Sequence, residues 1–140
     1  MSGAVGLGGG AVTDRAEIEA LLRALYAARL RGDLDAVCRT FSDDAMFQIA
    51  GAGQITPVSN TAVGVAEFRP LLAVMIKAFK LSDQRILSIL VDGAKAAVHW
   101  RARVYSRITG TSALTELIDL VEVRDARIVS YIEFFAPRGS

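Results

Sequence analysis

Residues Thr115 to Val123 read TELIDLVEV. In a strand, successive side chains point to opposite faces, so Asp119 shares a face with Leu117, Val121 and Val123, while Glu116, Ile118, Leu120 and Glu122 take the other. A carboxyl group among aliphatic side chains is hard to ionise. Complete burial raises its pKa by ~3–5 units, which makes it a hydrogen-bond donor or a base tuned toward neutrality. A few residues on, Val129, Tyr131, Glu133 and Phe135 repeat the pattern. If the two strands are neighbours, Asp119 and Glu133 face one concave space, where two carboxyl groups split their titrations and serve as acid and base. The spacing leaves other roles open for Asp119: bonding a backbone group, pairing with an inward arginine, or lying at a sheet edge.

Tyr26, Gln48, Trp100, Tyr131 and Phe135 are the candidates for substrate-binding lining around these carboxyls. For each, the alternative is core packing with a satisfied polar tip. On the strand containing Trp100, Val98, Trp100, Ala102 and Val104 alternate with His99, Arg101, Arg103 and Tyr105. The apolar set should face the helices and the Arg-rich set outward, where a row of Arg and Tyr could bind an anion but more often forms a solvated or subunit-contact surface. His99 on that outward face is expected to be structural.

The elements that must position these residues are legible in the patterning. Asp14 and Glu17 form a capping box for a helix whose stripe is Ile18, Leu21, Leu22 and Leu25, and Gly32 ends it. Asp33 caps a second, short helix carrying Leu34, Val37, Cys38 and Phe41. Met46 to Ile49 reads as a short strand, Gly51 to Thr56 as a loop, and Pro57 to Val63 as a weak strand or irregular segment. Phe68, Leu71, Leu72, Met75 and Phe79 define a third helix, which accommodates Pro70 only in its first turn. The period then changes to two, predicting strands over 85–91, 96–107, 113–124 and 127–135 with turns at Asp92-Gly93, Thr109-Gly110-Thr111 and Asp125-Ala126. Helices before a curved antiparallel sheet make an α+β domain with the helices packed on the concave face. The domain is expected over 13–137, with a flexible Gly-rich tail over 1–12 and a short tail over 138–140.

Bulk composition narrows the function classes. A chain of 140 residues is one domain by size. The hydrophobic classes make up 52% before its 12 glycines are counted, above the roughly 45–50% that such classes with glycine reach in ordinary soluble domains. That excess points to an internal cavity, a buried subunit interface, or both. With 16 basic and 15 acidic residues there is no global field to draw nucleic acid or a membrane surface. One cysteine excludes an intrachain disulfide and one histidine leaves little for a zinc site, so no metal is expected. No cofactor is expected for the proton-transfer chemistry of such carboxyls. No apolar run approaches the ~18–20 residues of a membrane span, and a cytoplasmic location is expected.

Three stretches together resemble a known family: YAARLRGDLDA from Tyr26, FSDDA from Phe41, and IDLVEVRDARIVSY from Ile118. They are similar to the nuclear transport factor 2-like superfamily, in its SnoaL-like and ketosteroid-isomerase-like branch, over roughly Asp14 to Ala136. The resemblance implies a cone-shaped α+β barrel with a pocket for a small hydrophobic ligand, and a homodimer formed through the outer sheet face. Members include isomerases, polyketide cyclases, dehydratases and epoxide hydrolases, and also proteins that only bind or assemble, so fold alone leaves the activity open. Asp119 falls where ketosteroid isomerases keep a protonated carboxylic acid, and it resembles the acid/base aspartate of SnoaL-like cyclases. The isomerase base falls at Ile49, and its tyrosine donor at Leu25, one position from Tyr26. The arginine and paired aspartates of an epoxide hydrolase are not evident. Two readings follow: a cofactor-independent isomerase, cyclase or lyase moving a proton next to a carbonyl, or a non-catalytic ligand-binding or assembly module.

Overall fold

The computed structural model describes residues 14–50 and 61–137. Expectations for the tails over 1–12 and 138–140, for the loop at 51–56 and for the first part of the Pro57–Val63 segment lie outside the described residues. Helix α1 spans Arg15–Arg31 and opens on the expected capping box: the Glu17 amide donates to Asp14 Oδ1 at 2.9 Å, and Glu17 Oε1 accepts from the Asp14 amide at 3.1 Å. Gly32 closes it at φ 70°, a left-handed conformation that favours glycine. Helix α2 spans Leu34–Arg39, with Asp33 accepting from the Ala36 amide. Strand β1 (Phe41–Ala50) and the short β2 (Thr61–Val63) precede helix α3 (Val65–Ala78), after which β3 (Phe79–Asp92), β4 (Lys95–Ser106), β5 (Ser112–Arg124) and β6 (Arg127–Pro137) follow.

These strands form one six-stranded sheet in the order β2-β1-β6-β5-β4-β3, antiparallel throughout except for the parallel β1–β6 pair. The three helices pack on one face of this curved, unclosed sheet, the α+β arrangement that the residue pattern predicts. The core lies between the layers. Ile18, Leu22 and Tyr26 from α1, Phe68 and Leu72 from α3, and Val98, Trp100 and Ala102 from β4 are all buried. Phe41, Phe47, Phe68 and Tyr131 form an aromatic cluster in which the Phe47 and Tyr131 rings stack with centroids 5.5 Å apart.

Four local expectations are corrected. Phe41 belongs to β1 and is 2% exposed; its burial against Phe68 and Tyr131 pulls it out of the α2 stripe and into the sheet. Helix α3 begins at Val65, so Pro70 lies beyond the first turn. Pro70 has no N–H to donate to the Ala66 carbonyl; both residues are exposed, and burial of Phe68 and Leu72 keeps the turn helical. Phe79 starts β3 instead of ending α3, and β3 begins six residues before Arg85. A register shift between Ser82 and Arg85, with Asp83 at φ 51°, interrupts the period-two pattern there. In β6, Val123 pairs with Ile128 and Glu122 with Ser130, so Val129 is the extra residue of a bulge and Ile128 is buried in its place.

Candidate functional site

The antiparallel register of β5 and β6 sets Asp119 directly opposite Glu133. Both side chains are buried, Asp119 at 0% and Glu133 at 3% exposure, so the neighbouring strands do bring the two carboxyls to one inward face. Trp100 reaches that face from β4, where it pairs with Leu117. Tyr26 comes from the opposite layer: one turn after Leu22, it lies on the stripe of α1 that faces the sheet.

Three donors converge on a single oxygen. Asp119 Oδ2 accepts from Tyr131 Oη at 2.5 Å, Tyr26 Oη at 2.6 Å and Trp100 Nε1 at 2.7 Å. Asp119 Oδ1, equally buried, has no partner among the described residues. Burial holds the Asp119 carboxyl well above the usual carboxylate range, and the nearby Glu133 charge adds to this; Arg29 and the hydrogen bonds from Tyr131 and Tyr26 oppose it. Burial first, and then the Asp119 charge, push both phenols up as well, so Tyr26 and Tyr131 keep their protons and remain donors. In the neutral form of Asp119 the proton belongs on Oδ1, because Oδ2 already accepts three donors.

Arg29 is the residue that the pattern reading missed. Its side chain is 11% exposed, with Nη1 donating to Glu133 Oε1 at 2.5 Å and to the Tyr131 hydroxyl at 3.2 Å, and Nη2 donating to Glu133 Oε2 at 3.4 Å. Its guanidinium carbon lies 5.3 Å from the centroid of the Trp100 ring. Burial alone would lower the Arg29 pKa, but Glu133, with Tyr131 and Asp119 adding to it, reverses the direction and holds the group cationic. A signal was present: Arg29 follows Leu22 by seven residues and Tyr26 by three, so a charged residue sits on the buried stripe and requires a buried partner.

The other candidates divide. Ile49, beside Glu133 in the β1–β6 register, faces the site with an apolar side chain. Phe135 pairs with Leu117 and is half-buried on the same face, one pair away from Asp119. Gln48 is a correction. It pairs with Ile132 while its neighbour Phe47 pairs with the inward Tyr131, so strand alternation turns Gln48 to the outer face of the sheet, away from Asp119. Leu25, where the family register puts the tyrosine donor, is buried and apolar, and the neighbouring Tyr26 spends its hydroxyl proton on Asp119. His99 is on the outer face, its Nε2 2.8 Å from Glu116 Oε1, in keeping with a structural role.

On that outer face, Ile118 opposes Phe134 and Leu120 opposes both Ile132 and Ala97, with Leu90 next to Ala97. Ile118, Leu120, Phe134 and Leu90 are 45%, 43%, 43% and 67% exposed. An open hollow of about 370 Å³ lies there, lined by Leu90, Ala97, Leu120 and Ile132 together with Lys95 and Glu122. Among the described residues no group of three or more His, Cys, Asp or Glu is placed to hold a metal ion, and no helix is long and apolar enough to cross a membrane.

Residues 22–131 match the SnoaL-like domain family, and the chain belongs to it. Solved structures share its nuclear transport factor 2-like architecture. A candidate isomerase from Bacillus subtilis is 20% identical, covers 86% of this chain and 87% of its own, and superposes with a TM-score of 0.78. An LEH-like epoxide hydrolase from M. tuberculosis is 21% identical over 86% of this chain and 84% of its own, with a TM-score of 0.69. A protein with a ketosteroid isomerase-like fold from Catenulispora acidiphila, solved with trimethylamine, is 15% identical over 81% and 82%, with a TM-score of 0.68. At these identities the likeness carries the fold alone. No match to a curated protein is found.

Proposed function

We propose that the protein is a cofactor-independent isomerase, cyclase or lyase that moves a proton next to a carbonyl of a small hydrophobic substrate, with Asp119 as its single proton-transfer group. The carrying observation is the asymmetry of that carboxyl: three donors on Oδ2 and none on Oδ1. A buried polar atom without a partner calls for an explanation, and an Oδ1–H donor meeting a substrate oxygen supplies one. In this reading Asp119 passes its Oδ1 proton to the substrate carbonyl oxygen. The carboxylate left behind is stabilised by the phenols, the indole and the nearby Arg29 charge. Oδ1 then takes the proton from the carbon next to the carbonyl, giving the enol and restoring the acid.

Glu133 is reassigned from partner acid or base to counter-ion, because both its oxygens are engaged by Arg29. Tyr26, Trp100 and Tyr131 act on Asp119 rather than on the substrate. The apolar side chains of Ile49 and Phe135 supply a hydrophobic surround, and a substrate that is uncharged and apolar apart from its carbonyl suits it. The names of the fold relatives, an isomerase and an epoxide hydrolase among them, are in keeping with a small-molecule site. The outer face supports a homodimer, its exposed apolar row around Ile118, Leu120 and Phe134 being the centre of the contact.

The test needs no knowledge of the natural substrate. Simple cyclic and aryl ketones are incubated in D₂O with the protein, and NMR follows deuterium entering the carbon next to the carbonyl. Entry faster than buffer alone, lost in Asp119→Asn, supports the reading; entry equal in both proteins, or none in either, refutes it.

A second reading is favoured by the complete closure of Asp119, which has 0% exposure. In it the network only fastens α1 to the sheet, and the protein is a non-catalytic ligand-binding or assembly module. It predicts that Asp119→Asn costs stability and changes nothing else.

A further inference from the structure

We infer that Arg29 is a positioning residue for Asp119: through Glu133 and the Tyr131 hydroxyl, its guanidinium fixes which oxygen of Asp119 stays open and how readily that oxygen gives up its proton. The inference rests on the reading of Asp119 as the proton-transfer group. Tyr131 has one hydroxyl proton and two acceptors in reach, Asp119 Oδ2 at 2.5 Å and Glu133 Oε1 at 3.1 Å. Arg29 Nη1 already occupies Glu133 Oε1 at 2.5 Å and also donates to the Tyr131 oxygen at 3.2 Å. A donor on the phenol oxygen and another on the competing acceptor both turn the phenol proton toward Asp119. Oδ2 thereby gains its third donor and Oδ1 is left as the exchangeable position. The same guanidinium lies over the Trp100 ring, 5.3 Å from its centroid, beside the indole whose Nε1 bonds that same Oδ2.

The charges around Asp119 form a balanced set. From α1 it faces Tyr26 and Arg29, from β4 the neutral Trp100, and from β6 Tyr131 and Glu133. The described core residues of β1 and α3, such as Phe47, Ile49, Phe68 and Leu72, are apolar. With Arg29 removed, Glu133 is a bare carboxylate beside Asp119 and competes for the Tyr131 proton. With Glu133 neutralised, Arg29 is an uncompensated cation beside it. The two changes must therefore move Asp119 in opposite directions.

The titration of Asp119 is followed in the ligand-free protein between pH 3 and 11, by the carboxyl ¹³C shift and by emission of Trp100, the single tryptophan. Asp119→Asn identifies the signal. Arg29→Met should raise the midpoint by at least one pH unit, Glu133→Gln should lower it by at least one, and Arg29→Met/Glu133→Gln should fall between the two. Arg29→Lys, which keeps the charge, should lie nearer the parent than Arg29→Met does. Should Arg29→Met fail to fold, Glu133→Gln and the double variant decide the matter. Midpoints that do not move, or that move in the same direction in both single variants, overturn the inference. Because no substrate is involved, opposite shifts in a protein that exchanges no deuterium into ketones would refute the proton-transfer reading and leave the role of Arg29 standing.

Discussion

The hydroxyl of Tyr131 lies 2.5 Å from Oδ2 of Asp119 and 3.1 Å from Oε1 of Glu133, so one phenol bridges the two carboxyl groups that the β5–β6 register sets side by side. It divides them into unlike partners. Asp119 is held by neutral donors and stays a weak acid, whereas Glu133 is gripped by a cation. Environment alone, acting on chemically similar groups, gives them separate tasks.

Stability should depend on pH through Asp119 with an unusual sign. Its pKa is higher in the folded chain than in the unfolded one, where it is about 3.9. The folded state therefore binds the extra proton, and the contribution of this group is fullest below that pH and falls as pH rises through the folded value. Denaturant titrations of the parent and Asp119→Asn should show a stability difference that moves in favour of the variant as pH rises from about 4, the unfolded value. A difference that is flat, or that moves the other way, contradicts a raised Asp119.

The two phenols should be energetically coupled through the atom they share. Tyr131→Phe and Tyr26→Phe each remove a buried hydrogen bond to Asp119 Oδ2, at about 1–3 kcal/mol each. In a double-mutant cycle by chemical denaturation the pair should show an interaction energy of roughly 0.5 kcal/mol or more. Simple additivity would mean that they do not act on one group.

Leu120 sits at the centre of the outer apolar row, on the face opposite the network, and is 43% exposed. Leu120→Lys should convert a dimer to a monomer in sedimentation velocity while leaving Trp100 emission unaltered, since buried interface centres exclude charge. A parent protein that is already monomeric at tens of micromolar would remove the dimer from the account.

Much of this arrangement was legible in the residues. The capping box at Asp14 and Glu17, the period-two alternation around Asp119 and the inward set of β4 follow from local chemistry, and the structure carries all three. The pairing of Asp119 with Glu133 was legible too, as a consequence of two neighbouring strands. The orientation of Gln48 was not, because β1 pairs in parallel with the distant β6 and is irregular between Phe41 and Met46, a long-range fact that no local pattern encodes. Nor was the role of Arg29. Its place on the buried stripe of α1 calls for a partner, but that partner is a carboxylate more than a hundred residues away. Period reading finds faces; it does not find the partner that makes a charge on an apolar face tolerable.

The charge state of Asp119 at neutral pH tests the account most directly. An infrared difference spectrum of the parent against Asp119→Asn at pH 7 should contain the carbonyl stretch of a protonated carboxylic acid, shifted in D₂O. A difference spectrum that instead contains the paired bands of a carboxylate, with no acid carbonyl, would contradict a proton held on Oδ1 and with it the proposed chemistry.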